Sequence, residues 1–79
     1  TQYKVDGQIV RSPVGVFGNT LEIKTLLIIS STKVLLQIKS LLNQCDLKIS
    51  GYVYDGLSQG QIFFCEKEQQ NDNFFCNPL

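Results

Sequence analysis

The sequence predicts a small α+β domain: a sheet of about three strands, one main amphipathic helix and a second, short helix. Three observations predict it. Residues 21–29 alternate side chains at the two-residue period of a strand before turning apolar on both faces. Residues 33–44 repeat apolar side chains at about 3.6, the period of a helix. Residues 47–54 return to alternation. Strand, helix and strand thus follow one another along a single apolar seam. The 79 residues make one domain, and the 43% apolar content argues against disorder.

In chain order, residues 1–10 carry Tyr3, Val5, Ile9 and Val10 around Asp6-Gly7, which reads as a short edge strand turning at that dipeptide. Residues 11–20 read as a loop. Pro13 fixes its own backbone, Gly15 and Gly18 permit turns, and Val14, Val16 and Phe17 tuck the loop against the core. In the strand over 21–29, Leu21, Ile23, Thr25, Leu27 and Ile29 share one face, and Glu22, Lys24, Leu26 and Ile28 the other. Ser30, Ser31 and Thr32 supply hydroxyls for a helix cap.

On the helix, Val34, Leu35, Ile38, Leu41, Leu42 and Cys45 form the core stripe. Leu36 sits in the middle of the polar face, either as a single exposed leucine or as an anchor for a partner. In the strand over 47–54, Leu47, Ile49, Gly51 and Val53 face one way, and Lys48, Ser50, Tyr52 and Tyr54 the other. One helix covers one face of a sheet. The other face then presents Leu26, Ile28, Tyr52 and Tyr54, as a patch for a neighbour or as a surface covered by the chain ends.

Asp55-Gly56 makes a turn. Residues 57–70 are mixed: Ile62 to Cys65 favour strand and Glu66 to Gln70 favour helix. The balance favours a short helix capped by Ser58, with Gly60 as a weak point. The third strand is assigned to residues 3–5 in preference to 61–64. Residues 71–79 read as a loose tail, so the domain spans 1–70.

The chemistry of enzymes is sparse. Without histidine there is no Ser-His or Cys-His pair and no imidazole ligand. Cys45, Cys65 and Cys76 have neither zinc spacing nor the even number of a disulfide framework. With no signal peptide, they suggest a reducing cytosol. The glycines at 15 and 18 precede a strand and lack the P-loop lysine. Asp6 and Asp55, each beside Gly, read as turn residues.

Residues 1–49 hold six Lys/Arg against three Asp/Glu, and residues 50–79 one against four. Such a split suits solvated charge or head-to-tail association. Few cations flank the tyrosines, and the pI is about 6.0, which disfavours nucleic acid. No apolar run reaches the length of a membrane span. Exposure nominates Leu36, Tyr52 and Tyr54 as a protein-contact surface, with Lys33 and Lys39 steering a partner.

Six short signals between Tyr3 and Leu57 fall in a recognisable order. They are Tyr3-Lys4-Val5-Asp6, Pro13-Val14-Gly15 with Gly18, Leu21-Glu22-Ile23-Lys24, Leu27-Ile28-Ile29, Cys45-Asp46-Leu47-Lys48-Ile49 and Gly56-Leu57-Ser58. Together this stretch resembles the inserted 1C subdomain of the FtsA bacterial cell-division proteins. The resemblance implies a strand-helix-strand-strand fold of the SHS2 type. It implies a non-catalytic module that contacts other FtsA-like subunits or recruits later division proteins, at the cytoplasmic face of the membrane. Asp46 stands where that family has Gly, in a left-handed position that Asp tolerates. The family's phosphate-binding strand, membrane-targeting helix and FtsZ-binding domain do not occur in these residues, so no ATP site or other cofactor is implied. A pilus-assembly role of the related PilM type and a small-ligand SHS2-like domain are the alternative readings.

Overall fold

A computed structural model describes residues 1–26, 32–69 and 71–78. Seven strands and one helix are described: β1 (Gln2–Val5), β2 (Gln8–Val10), β3 (Phe17–Gly18), β4 (Thr20–Leu26), α1 (Thr32–Cys45), β5 (Lys48–Asp55), β6 (Gly60–Glu66) and β7 (Phe74–Phe75). Five strands form an antiparallel sheet in the order β2-β1-β4-β6-β5, and β3 pairs with β7 in a second, two-stranded sheet. Strand, helix, strand and strand follow in sequence from Thr20 to Glu66. The expected fold class is nonetheless corrected. The molecule is mostly sheet, with five plus two strands instead of about three and a single described helix.

The second short helix expected over 57–70 is strand β6, which lies between β4 and β5. Tertiary pairing overrides the helical preference of Glu66 and its neighbours, because β6 is flanked by a strand on each side over nearly its whole length. Residues 3–5 are also a strand, but they lie beside β4 and do not replace 61–64. The apolar residues at 27–29 and the cap hydroxyls of Ser30 and Ser31 lie outside the described residues.

The Asp6-Gly7 turn forms as expected. Both residues take positive φ, 50° and 83°, and join β1 to β2 in a two-residue hairpin. Asp6 does more than turn the chain. Its Oδ1 accepts hydrogen bonds from the backbone N–H groups of Asn19 and Thr20, both at 2.9 Å. The helix ends at Asp46 in the left-handed region, φ 56°. There the Leu47 N–H reaches back to the Leu42 carbonyl at 2.9 Å, the long bond of a Schellman motif.

The core lies between α1 and one face of the large sheet. Val5, Leu21, Ile23 and Cys65 come from the sheet and Ile38, Leu41, Leu42 and Cys45 from the helix. The expected stripe is therefore largely buried, with Val34 packed at its margin and Leu35 exposed.

The segment from Asn71 was expected to be loose, yet it closes one end of this core. Phe74 and Cys76 are fully buried, and β7 pairs with β3 so that Phe17 and Phe75 stack with centroids 4.5 Å apart. The Gly15 N–H donates to the Cys76 carbonyl at 2.7 Å. Gly18 is required at this seam: a Cβ there would run into Cγ1 of Val5 and lie 3.2 Å from the Phe74 ring. Cys76 is disulfide-bonded to Cys45, with Cα atoms 4.2 Å apart. The view of the cysteines as lacking a disulfide is corrected accordingly. Helix packing buries Cys45 at the end of α1, and the β3–β7 seam delivers Cys76 to it.

Candidate functional site: an apolar groove beside strand β5

α1 does not cover the sheet out to its β5 edge. Between them runs a groove of about 350 Å³ lined by Thr32, Leu35, Leu36, Ile38, Lys39, Leu42, Ile49 and Phe63. Its lining is overwhelmingly apolar, with Thr32 and Lys39 as the polar exceptions. Leu35 and Leu36 project from adjacent helix positions and remain 53% and 60% exposed.

The tyrosines lie on the same side, contrary to the expected alternation. Tyr52 is opposite Phe63 and Tyr54 opposite Gln61, positions that share the helix-side face with Ile23 and Thr25 through β6. The rings of Tyr52 and Phe63 pack with centroids 5.3 Å apart, tilted by 54°. A bulge at Ser50 causes the switch. Ile49 pairs with Cys65 and Gly51 with Phe64, so Ser50 is an extra residue and the alternation changes phase there. The Ser50 hydroxyl donates to the Phe64 carbonyl at 3.1 Å and anchors the irregularity. Gly51 and Val53 consequently face away from the helix, and Tyr52 and Tyr54 face towards it.

Of the residues nominated from sequence, Leu36 and Lys39 line the groove. Tyr52 joins them through Phe63, and Tyr54 is the next helix-side position along β5. Lys33 is exposed on the first turn of α1 and does not line the groove. Sequence reasoning missed Leu35, Ile49 and Phe63. Leu35 lies on the margin of the apolar stripe, where periodicity does not separate core from rim. Phe63 belongs to the stretch read as helix.

The opposite face of the sheet is chemically different. An open depression of about 250 Å³ is lined by Gln2, Lys4, Glu22, Lys24, Asp55 and Ile62. Its charges balance, and Lys24 Nζ stands 3.7 Å from Asp55 Oδ2. Asp55 is otherwise committed to the β5–β6 turn: it accepts hydrogen bonds from the Ser58 hydroxyl at 2.8 Å and the Leu57 N–H at 3.1 Å. These bonds, the Ser58 one foremost, hold its carboxyl below the usual range. The two backbone bonds at Asp6 lower that carboxyl in the same way. Both aspartates thus have structural roles. Cys65, the free thiol, is buried in the core, and burial pushes its pKa up to about 11. A thiol so protonated is a poor nucleophile.

Among the described residues, no three His, Cys, Asp or Glu side chains converge on a metal position. Among them, too, no helix is long and apolar enough to cross a membrane. No protein-family model, no curated protein and no solved structure matches the chain. The resemblance to the FtsA 1C subdomain therefore rests on its short motifs alone.

Proposed function

We propose that the chain is a non-catalytic protein-interaction module and that it docks its partner in the groove between α1 and β5. One observation carries the reading: Leu35, Leu36, Ile49 and Tyr52 are each about half exposed or more, and they gather on one side of the molecule around an apolar cleft. Large apolar side chains grouped in this way mark contact surfaces, whereas scattered ones do not. Lys39 at the rim adds a charged group that can orient an acidic partner.

The finer reading is contact between FtsA-like subunits, or recruitment of later division proteins at the cytoplasmic face of the division site. The ordered motifs from Tyr3 to Leu57 support it. The Cys45–Cys76 bond weighs against its compartment, since structural disulfides persist in oxidising surroundings and are rare in the cytosol. The docking surface itself is independent of that choice.

A small apolar ligand is the second reading, because a cleft of about 350 Å³ lies within the range of ligand pockets. The few polar groups in its lining favour a protein side chain over a ligand that needs several fixed hydrogen bonds.

The test is selection of peptides on the immobilised, oxidised chain, followed by affinity measurements on the Leu36→Asp variant. A charge in the groove should weaken peptide binding by about 2 kcal/mol or more, the scale of an interface hot spot. Peptides that bind the folded Leu36→Asp chain as tightly as the parent would place the contact surface elsewhere.

A further inference from the structure

β5 is an end strand of the large sheet, and it is unusually long for an edge. It spans eight residues, whereas β2 at the opposite edge spans three. Among the described residues only β6 pairs with it, and β7 is occupied by β3. Folded proteins usually shorten or cover such an edge, because its backbone groups can pair with another strand.

We infer that β5 pairs antiparallel with β5 of a second copy of this chain, joining two five-stranded sheets into one and closing the groove between the two helices. The inference rests on the reading of this surface as a protein contact and names its occupant.

Charge and register select that occupant. β5 begins with Lys48 and ends with Asp55, and both face away from the helix, opposite Glu66 and Gly60 respectively. Antiparallel self-pairing centred on Tyr52 sets Lys48 of each copy opposite Asp55 of the other. Gly51 then faces Val53 and Tyr52 faces Tyr52, so every pair shares a face. Tyr54 faces Ile49, and Ser50 is left over as the extra residue, as it already is against β6. The bulge that would throw a regular strand out of register is thus matched by the same bulge in the second copy. A two-fold axis normal to the sheet generates the arrangement and keeps both helices on one side, as an isologous interface requires. The exposed apolar side chains of the groove then meet their counterparts across the seam.

The test is sedimentation of the purified, oxidised chain over a concentration series, paired with hydrogen exchange. A dimer is expected, with protection of the β5 amides rising as concentration rises. Lys48→Glu places two like-charged pairs across the seam and should weaken the dimer about tenfold. Tyr52→Lys puts two cations at its centre and should weaken it about a hundredfold. Circular dichroism confirms that each variant folds, since both positions are exposed. A dimer indifferent to both substitutions, or one whose β5 amides gain no protection, overturns the pairing. A monomer that still binds selected peptides in a Leu36-dependent way overturns the second copy as occupant and leaves the groove as a docking site. A monomer that binds none overturns both.

Discussion

Cys76 is bonded to Cys45, so the far end of the described chain is fastened to the last turn of α1, 31 residues earlier in sequence. The bond lies two residues beyond Phe74, which is fully buried, and next to β7, which pairs with β3. A cross-link over a loop of this length stabilises by roughly 3–4 kcal/mol in the chain-entropy model. Reduction, or Cys76→Ser, should lower the unfolding free energy by about that amount, a large share of what a domain this small possesses. Denaturant unfolding with and without reductant measures it. Equal midpoints would show that the β3–β7 seam holds without the bond.

Gly18→Ala tests the seam from its other side. The added Cβ collides with Val5 and presses on Phe74, both in the core. Relief requires the hairpin strand β1 or the buried ring to move, at about 1–3 kcal/mol. A fall in melting temperature is expected. Gly7→Ala differs in kind: nothing lies within 4 Å of its Cβ, so the cost there comes from the positive φ alone.

Acid should weaken the fold through Asp6 and Asp55. Both carboxyls are held below their ordinary range, chiefly by backbone bonds for Asp6 and by the Ser58 hydroxyl for Asp55. A depressed folded-state pKa means that the unfolded chain takes up the proton first. Their stabilising contribution is therefore present above the usual carboxylate range and is lost as the pH falls through the lowered values. Both groups are open to solvent, so the effect is modest. The urea midpoint should drop between neutral pH and about pH 3, and less so in an Asp6→Asn chain. An Asp6→Asn profile as steep as the parent's would remove Asp6 from the account.

Cys65 should be chemically silent in the folded state. Its thiol is buried, and burial pushes its pKa up to about 11. A thiol reagent at mild alkaline pH should label the native protein slowly and the urea-unfolded protein at once, one thiol per chain. Rapid labelling of native protein would mean that β6 opens locally.

The parts of the fold that were legible in sequence are those fixed by local chemistry. Asp6-Gly7 specifies a two-residue hairpin turn by its positive φ angles, and Asp46 ends the helix in the left-handed region. The stripe from Ile38 to Cys45 predicts the buried side of α1. The parts that were hidden depend on partners remote in sequence. Phe63, Phe64 and Cys65 form an unbroken apolar run because β6 is an inner strand, and that pattern does not distinguish strand from helix. Tyr52 lies on the side of the sheet opposite to the one simple alternation predicts, because one extra residue, Ser50, reverses the phase, and nothing in a period of two announces a bulge. The disulfide was hidden because Cys76 meets Cys45 only after β7 has found β3. The groove was half legible. Leu36 and Lys39 stood out on the polar side of the helix, but their neighbours Ile49 and Phe63 come from strands whose facing was set by tertiary pairing.

The central position of β6 has a consequence for how the molecule is made. β6 follows β4, α1 and β5 in the chain, yet it is the strand that joins β4 to β5. During synthesis the two flanking strands and the helix therefore emerge before the strand that fits between them. Until Gly60–Glu66 is delivered, β5 has no strand to pair with and the inner edge of β4 is unpaired. The β5–β6 ladder closes locally, as a hairpin across residues 56–59, whereas the β4–β6 ladder must close across α1 and β5 and is the slower of the two. The inner edge of β4 accordingly stays open until the β5–β6 hairpin docks on it, and an open edge is where a strand of another chain can pair instead.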